Sequence, residues 1–195
     1  MTLARKKQNV RSPLGSQINS RQLLSIEPST FDLFTMKHLA LILSIPLLLA
    51  THADAAQIIF IVRHAEKASS GGNDPGLSLQ GQKRADALAR ILKDSQIGSV
   101  FVTEFKRTQE TAAPTARAAN VSSTVVAAND IGALVEKLGA LNGNALVVGH
   151  GNTIPDLLKA LGIPTPVRIS EDDYNEIFAV FVGNAPQLLR LHYPS

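Results

Sequence analysis

Ile58-Ile59-Phe60-Ile61-Val62-Arg63-His64 decides the reading of this chain, together with Ala145-Leu146-Val147-Val148-Gly149-His150, which repeats its plan. Each is a short apolar run of β type, continuous rather than alternating, so each reads as a strand covered on both faces. Each stops on a histidine. In an open parallel sheet, ligands bind beyond the carboxyl ends of the strands, so two such strands direct both imidazoles into one crevice. A third run, Ser99-Val100-Phe101-Val102-Thr103, behaves the same way and feeds a helix whose first turn carries Arg107. Two histidines and two arginines, Arg63 and Arg107, therefore converge on one spot. Its charge balance is positive, and planar guanidinium groups suit a cluster of phosphoryl oxygens.

Outward from these strands the elements alternate. A strand over 57–62 is followed by a Gly/Ser/Asn loop over 69–76, too polar for a core. Ser78 reads as a helix cap ahead of Ala85, Leu88, Ala89 and Leu92, which recur at helical spacing. The strand at 99–103 leads to a helix ending near Ala119. A strand over 122–127, a helix near 131–141, the strand ending at His150, a helix over 153–161 and closing strands near 176–182 and 187–192 complete the chain. This alternation predicts an α/β fold, a three-layer αβα sandwich around a mainly parallel central sheet. No internal repeat, low-complexity tract or second domain is evident.

Three strings carry a resemblance. Arg63-His64-Ala65-Glu66-Lys67, Thr103-Glu104-Phe105-Lys106-Arg107-Thr108-Gln109-Glu110-Thr111-Ala112 and Gly149-His150-Gly151-Asn152-Thr153 look like the signature motifs of the histidine phosphatase superfamily, which includes the phosphoglycerate mutases. Their order and spacing match over roughly residues 57 to 193. The resemblance implies a phosphoglycerate mutase-like fold and a small phosphorylated substrate. His64 would be the nucleophile, taking the phosphoryl group as a phosphohistidine and yielding it to water. Arg63 and Arg107 would bind the phosphoryl oxygens and disfavour the imidazolium. His150 would donate a further hydrogen bond, with Asn152 as an additional substrate contact. The resemblance calls for no metal and no cofactor. Ala65 departs from the family, where glycine usually follows the Arg-His pair; alanine there is seen in short members, including bacterial phosphohistidine phosphatases.

Taken singly, these residues have plainer readings. Either histidine alone reads as a core or turn residue, and Arg107 alone as a helix residue pairing with Glu104 or Glu110. His64, Glu66 and His150 could serve as metal ligands, but the chain has no cysteine and no closely spaced histidine pair. The three motifs in order outweigh all of these. A proton donor for the leaving oxygen is less plain. Mutase-type relatives carry a glutamate in an insert between the second and third motifs, and this chain has no such insert. Glu104 is the candidate general acid, set against its ordinary reading as an acidic residue in a first helical turn. Glu66 and Asp74 are weaker candidates, and Lys67 reads as a solvated loop charge at the rim. A good leaving group, such as phosphohistidine or an acyl phosphate, needs no strong acid. The reading is a phosphatase of phosphomonoesters or phosphohistidine-like substrates. The alternatives are a phosphate-binding or sensor protein with little turnover and, disfavoured by the missing insert, a phosphomutase.

The amino terminus bears on location. Met36-Lys37-His38 precedes twelve residues, Leu39 to Ala50, that are apolar apart from Ser44 and Pro46, and Ala53-Asp54-Ala55 follows. A positive start, an apolar core and an Ala-x-Ala site make a secretory signal peptide over 36–55, too short to span a bilayer. Residues 1–35 read as a non-structural extension or a misassigned start, and 56–195 as the domain, periplasmic or secreted. Of 19 Lys/Arg and 16 Asp/Glu, six and three precede residue 56, which leaves 13 of each. A formally neutral domain has no general field for nucleic acid or an anionic membrane, and without cysteine an oxidising compartment is harmless.

Overall fold

A computed structural model describes residues 57–194; the readings made for 1–35 and 36–55 fall outside them. The elements are β1 (Ile58–Arg63), α1 (Leu79–Ile91), β2 (Ile97–Val102), α2 (Lys106–Ala119), β3 (Ser123–Val125), α3 (Ile131–Gly139), β4 (Asn144–Gly149), α4 (Ile154–Ala160), β5 (Glu176–Phe181) and β6 (Gln187–His192). The strands form one six-stranded sheet in the order β3-β2-β4-β1-β5-β6. The first four in that order run parallel, while β5 and β6 are antiparallel additions on the far side of β1.

The apolar runs dictate this arrangement. Both faces of the central strands are buried, so alternate residues feed two separate cores. Phe60, Val62, Leu146 and Val148 pack with Leu88 and Leu92 of the α1 segment and Ala112 and Ala116 of α2. Ile59, Ile61, Ala145 and Val147 pack on the opposite face with Leu138 of α3 and Ile154, Leu157 and Leu158 of α4. This is the expected three-layer sandwich. At about 1.5–3 kcal/mol for each fully buried large aliphatic side chain, these two faces dominate its stability.

Local signals set the helix ends. Ser78 Oγ accepts from Gly81 N at 3.1 Å, the cap read from the sequence. A closed loop precedes it, with Ala68 N donating to Gly76 O and Ser78 N to Glu66 O, both at 2.9 Å. That loop is docked onto α2. Asp74 Oδ1 accepts from Lys106 N at 3.0 Å, and Glu110 Oε2 accepts from Leu77 N at 2.6 Å.

Two expectations shift. The strand placed at 122–127 spans only Ser123–Val125, all three exposed, because β3 is an edge that touches β2 alone. β2 begins at Ile97 rather than Ser99, since Ile97 is itself buried in the core.

Candidate active site

The ladder between β1 and β4 places the two histidines side by side. Arg63 pairs with Gly149, so the next residue on each strand is a histidine, and His64 N donates to Gly149 O at 3.0 Å. The imidazole centroids lie 5.4 Å apart in an edge-on arrangement. Both side chains are buried. Together with Arg63 and Arg107 they line one open pocket of about 410 Å³, whose other walls are Gly151, Asn152 and the 169–171 segment. The structure thus brings His64, Arg63, Arg107, His150 and Asn152 to one place.

His64 is oriented by its own backbone. Its Nδ1 lies 2.8 Å from Ala65 O, and a carbonyl can only accept, so Nδ1 carries the proton and Nε2 keeps the lone pair. Burial drives the His64 pKa down to about 4, with smaller contributions from His150, Arg107 and Arg63 against the opposing hydrogen bond to Ala65. The arginines were expected to keep this imidazole neutral; loss of solvent does most of it. His150 is likewise lowered to about 4 by burial first and Arg107 second, opposed by Glu104. His150 Nε2 lies 3.0 Å from Thr103 Oγ1.

Each arginine rests on an aromatic ring. The Arg63 guanidinium sits 4.4 Å from the Tyr174 ring centroid, and that of Arg107 sits 4.3 Å from Phe105. Arg63 Nη1 also donates to Ser170 O at 2.7 Å and Glu171 O at 2.6 Å. Those two carbonyls turn one edge of the guanidinium outward to the 170s loop, and its buried Nε has no partner among the described residues. Arg107 Nη1 stands 3.9 Å from Asp74 Oδ1.

A threonine network supports these residues. Thr111 Oγ1 accepts from Ala65 N at 2.9 Å and donates to Arg107 O at 2.6 Å, tying the nucleophile's neighbour to the helix that carries the second arginine. Thr108 Oγ1 accepts from Thr103 N at 3.2 Å and donates to Phe105 O at 2.8 Å. The sequence reading passed over Thr103, Thr108, Thr111, Phe105 and Tyr174. Polar threonines at helical spacing beside Ala112 and Ala116 were the available signal.

The three carboxylates weighed as proton donors, Glu66, Asp74 and Glu104, are not among the walls of this pocket. Glu66 forms a bidentate pair with Arg84, whose Nη2 is 2.7 Å from Oε1, and the hydrogen bonds from Arg84 oppose its burial and hold its pKa low. Asp74 caps α2. Glu104 is exposed, its Oε2 accepting from Ala128 N at 2.9 Å, and it is not among the walls of the pocket. Glu171, which the sequence reading did not single out, lines the rim. Lys67 is exposed, pairing with Leu77 in an isolated bridge.

Comparison with known proteins agrees with the motif resemblance. A family model described as the histidine phosphatase superfamily (branch 1) matches residues 59–130. The third motif, with His150, lies beyond that stretch, and the ladder brings it in. No curated protein matches the sequence. Among solved structures, the chain is similar to the protein histidine phosphatase SixA complexed with tungstate, with a TM-score of 0.60, 22% identity and coverage of 69% of this chain and 96% of that one. The α-ribazole phosphatase from Shigella flexneri gives a TM-score of 0.57 at 16% identity, covering 70% of this chain and 96% of that one. A mycobacterial glucosyl-3-phosphoglycerate phosphatase gives 0.56 at 14%, covering 71% and 100%. At these identities the likeness speaks for the fold.

Proposed function

From a chain whose residues 59–130 match the histidine phosphatase superfamily and whose domain has that fold, we propose a phosphatase that hydrolyses phosphomonoesters or phosphohistidine-like substrates through a phosphohistidine on His64. One observation carries the reading: a neutral, oriented imidazole shares a single pocket with two guanidinium groups and a second imidazole.

The steps follow from that geometry. The His64 Nε2 lone pair attacks phosphorus, the bond from phosphorus to the leaving oxygen breaks, and the leaving oxygen takes its proton from solvent water at the open mouth of the pocket. Arg63 and Arg107 hold the equatorial oxygens, in place before the charge moves, which is how fixed cations contribute most to phosphoryl transfer. The Thr103 hydroxyl can donate to His150 Nε2, so that His150 Nδ1 carries the proton a phosphoryl oxygen would accept. Water then attacks phosphorus, the bond to Nε2 breaks, and phosphate leaves with His64 neutral again. Positive charge at the phosphoryl oxygens comes from the two arginines, so we propose that the reaction runs without a metal. Asn152 adds an amide to the same wall. The signal peptide read over 36–55 supports action outside the cytoplasm.

The test is trapping. The wild-type chain should hydrolyse an activated aryl phosphate in the presence of chelator and carry acid-labile phosphate on His64, and His64→Ala should lose both. Turnover retained by pure His64→Ala overturns the covalent mechanism. Phosphate binding without turnover in the wild type would instead favour the sensor reading.

A further inference from the structure

A second pocket adjoins the first and shares Arg107, His150 and Asn152 with it. It measures about 290 Å³, the room of roughly ten liquid water molecules. Its remaining walls are Phe105, Ala128, Asn129 and Thr153. Apart from the shared Arg107, none of these is charged. A phosphoryl group seated between Arg63 and Arg107 would have its leaving group pointing either to solvent or into this lobe, and a flat phenyl wall with two amides suits an uncharged group the size of one ring.

The lobe has one weakly secured wall. Ala128 and Asn129 belong to the loop between β3 and α3. That loop is anchored at its start by Val126 N donating to Val102 O at 2.9 Å and at its end by Asp130, whose Oδ1 accepts from Ala133 N at 2.9 Å. Between the anchors, the described contact to the β2–α2 turn is Ala128 N donating to Glu104 Oε2. Glu104 sits one residue before Phe105, so a single carboxylate ties together both sides of the lobe, the ring on one side and the 128–129 backbone on the other.

We infer that Glu104 is a positioning residue: it clasps the 127–130 loop to the β2–α2 turn and so shapes a leaving-group lobe that selects phosphate esters of uncharged, ring-sized groups. This rests on the phosphatase reading for the chemistry and on the hydrogen bond for the clasp. It also separates the clasp from a proton-donating Glu104, because a glutamine side chain keeps the accepting oxygen and loses the acid.

Two measurements on the full chain decide it. Amide hydrogen exchange at Ala128 should quicken about fivefold or more in Glu104→Ala and stay near the wild-type rate in Glu104→Gln. Steady-state kinetics should use two activated substrates that need no proton donor, p-nitrophenyl phosphate with a ring and acetyl phosphate without one. Glu104→Ala should lose about fivefold or more in kcat/KM on the aryl ester, mainly through KM, and far less on acetyl phosphate, with Glu104→Gln recovering the aryl ester. Equal losses in Glu104→Ala and Glu104→Gln on an alkyl phosphate, with no change at Ala128, would overturn the clasp in favour of a general acid. A wild-type chain that turns over neither substrate fails the phosphatase reading, and the exchange at Ala128 then still decides the clasp.

Discussion

Acidification from pH 7 to pH 5 should destabilise this domain through its two buried pocket histidines. His64 and His150 each have an ordinary pKa of 6.5 that burial lowers to about 4 in the folded chain. Between those values the unfolded chain binds a proton at each histidine and the folded chain does not, so acid favours unfolding. Their contribution is fully present above the unfolded value and is gone once pH falls through the folded one. For one histidine the integral from pH 7 to pH 5 is about 2 kcal/mol, and for the pair about 4 kcal/mol, a large part of a typical folding stability. Both residues are less than a tenth exposed but line an open pocket, so solvent screening trims these figures and they stand as upper values. Glu66, held below its ordinary 4.5 by Arg84 against its burial, titrates below this window. Urea unfolding at pH 7, 6 and 5 measures the slope, and the double variant His64→Asn, His150→Gln should remove most of it. A wild-type stability that falls by less than about 0.5 kcal/mol between pH 7 and pH 5 would refute the claim that folding strips both imidazoles of their protons.

Other outcomes follow from single contacts. A Cβ built at Gly81 would stand 2.2 Å from Glu66 O, so Gly81→Ala must push α1 off the loop that follows the nucleophile. A loss of about 2 kcal/mol or more is expected by thermal unfolding, with activity falling alongside. Arg107→Ala should weaken binding of inorganic phosphate and slow every substrate, since that guanidinium faces the group all substrates share; a loss confined to one substrate would speak against this role. Export can be read directly from the amino-terminal mass of protein in the native host's envelope fraction, expected to begin at Ala56, and a cytoplasmic species beginning at Met1 would reverse the localisation.

The parts of the molecule that were legible in advance are those where burial forces a pattern. β1 and β4 announce themselves because both faces are covered, and α1 because Ser78 and the spacing of Ala85, Leu88 and Leu92 agree. β3 was drawn too long because an exposed edge leaves no apolar signature, and nothing in the residues of β5 and β6 states their antiparallel direction. Within the pocket, the motif side chains could be named from the sequence. Their supports could not, for a physical reason: Arg63 is held by the carbonyls of Ser170 and Glu171, and any residue supplies a carbonyl. Tyr174 is a lone aromatic whose partner Arg63 lies more than a hundred residues earlier, and Phe105 meets Arg107 only through the shape of the turn into α2. Neutrality of His64 was foreseen but credited to nearby charge, because burial depth belongs to the folded object rather than to the string Arg63-His64-Ala65.

The pairing of Arg63 with Gly149 fixes the two histidines through hydrogen bonds of a parallel ladder. More than eighty residues lie between them in the chain, and none of that length enters the separation of the rings. Insertions or deletions in the α1, α2 or α3 connections can therefore accumulate without moving His64 relative to His150, whereas a one-residue slip of β4 against β1 would separate the imidazoles and turn every core side chain of that strand to the opposite face. The spacing of the two imidazoles is thus inherited with the core, and chain length between the motifs is left open to change who is admitted to the pocket.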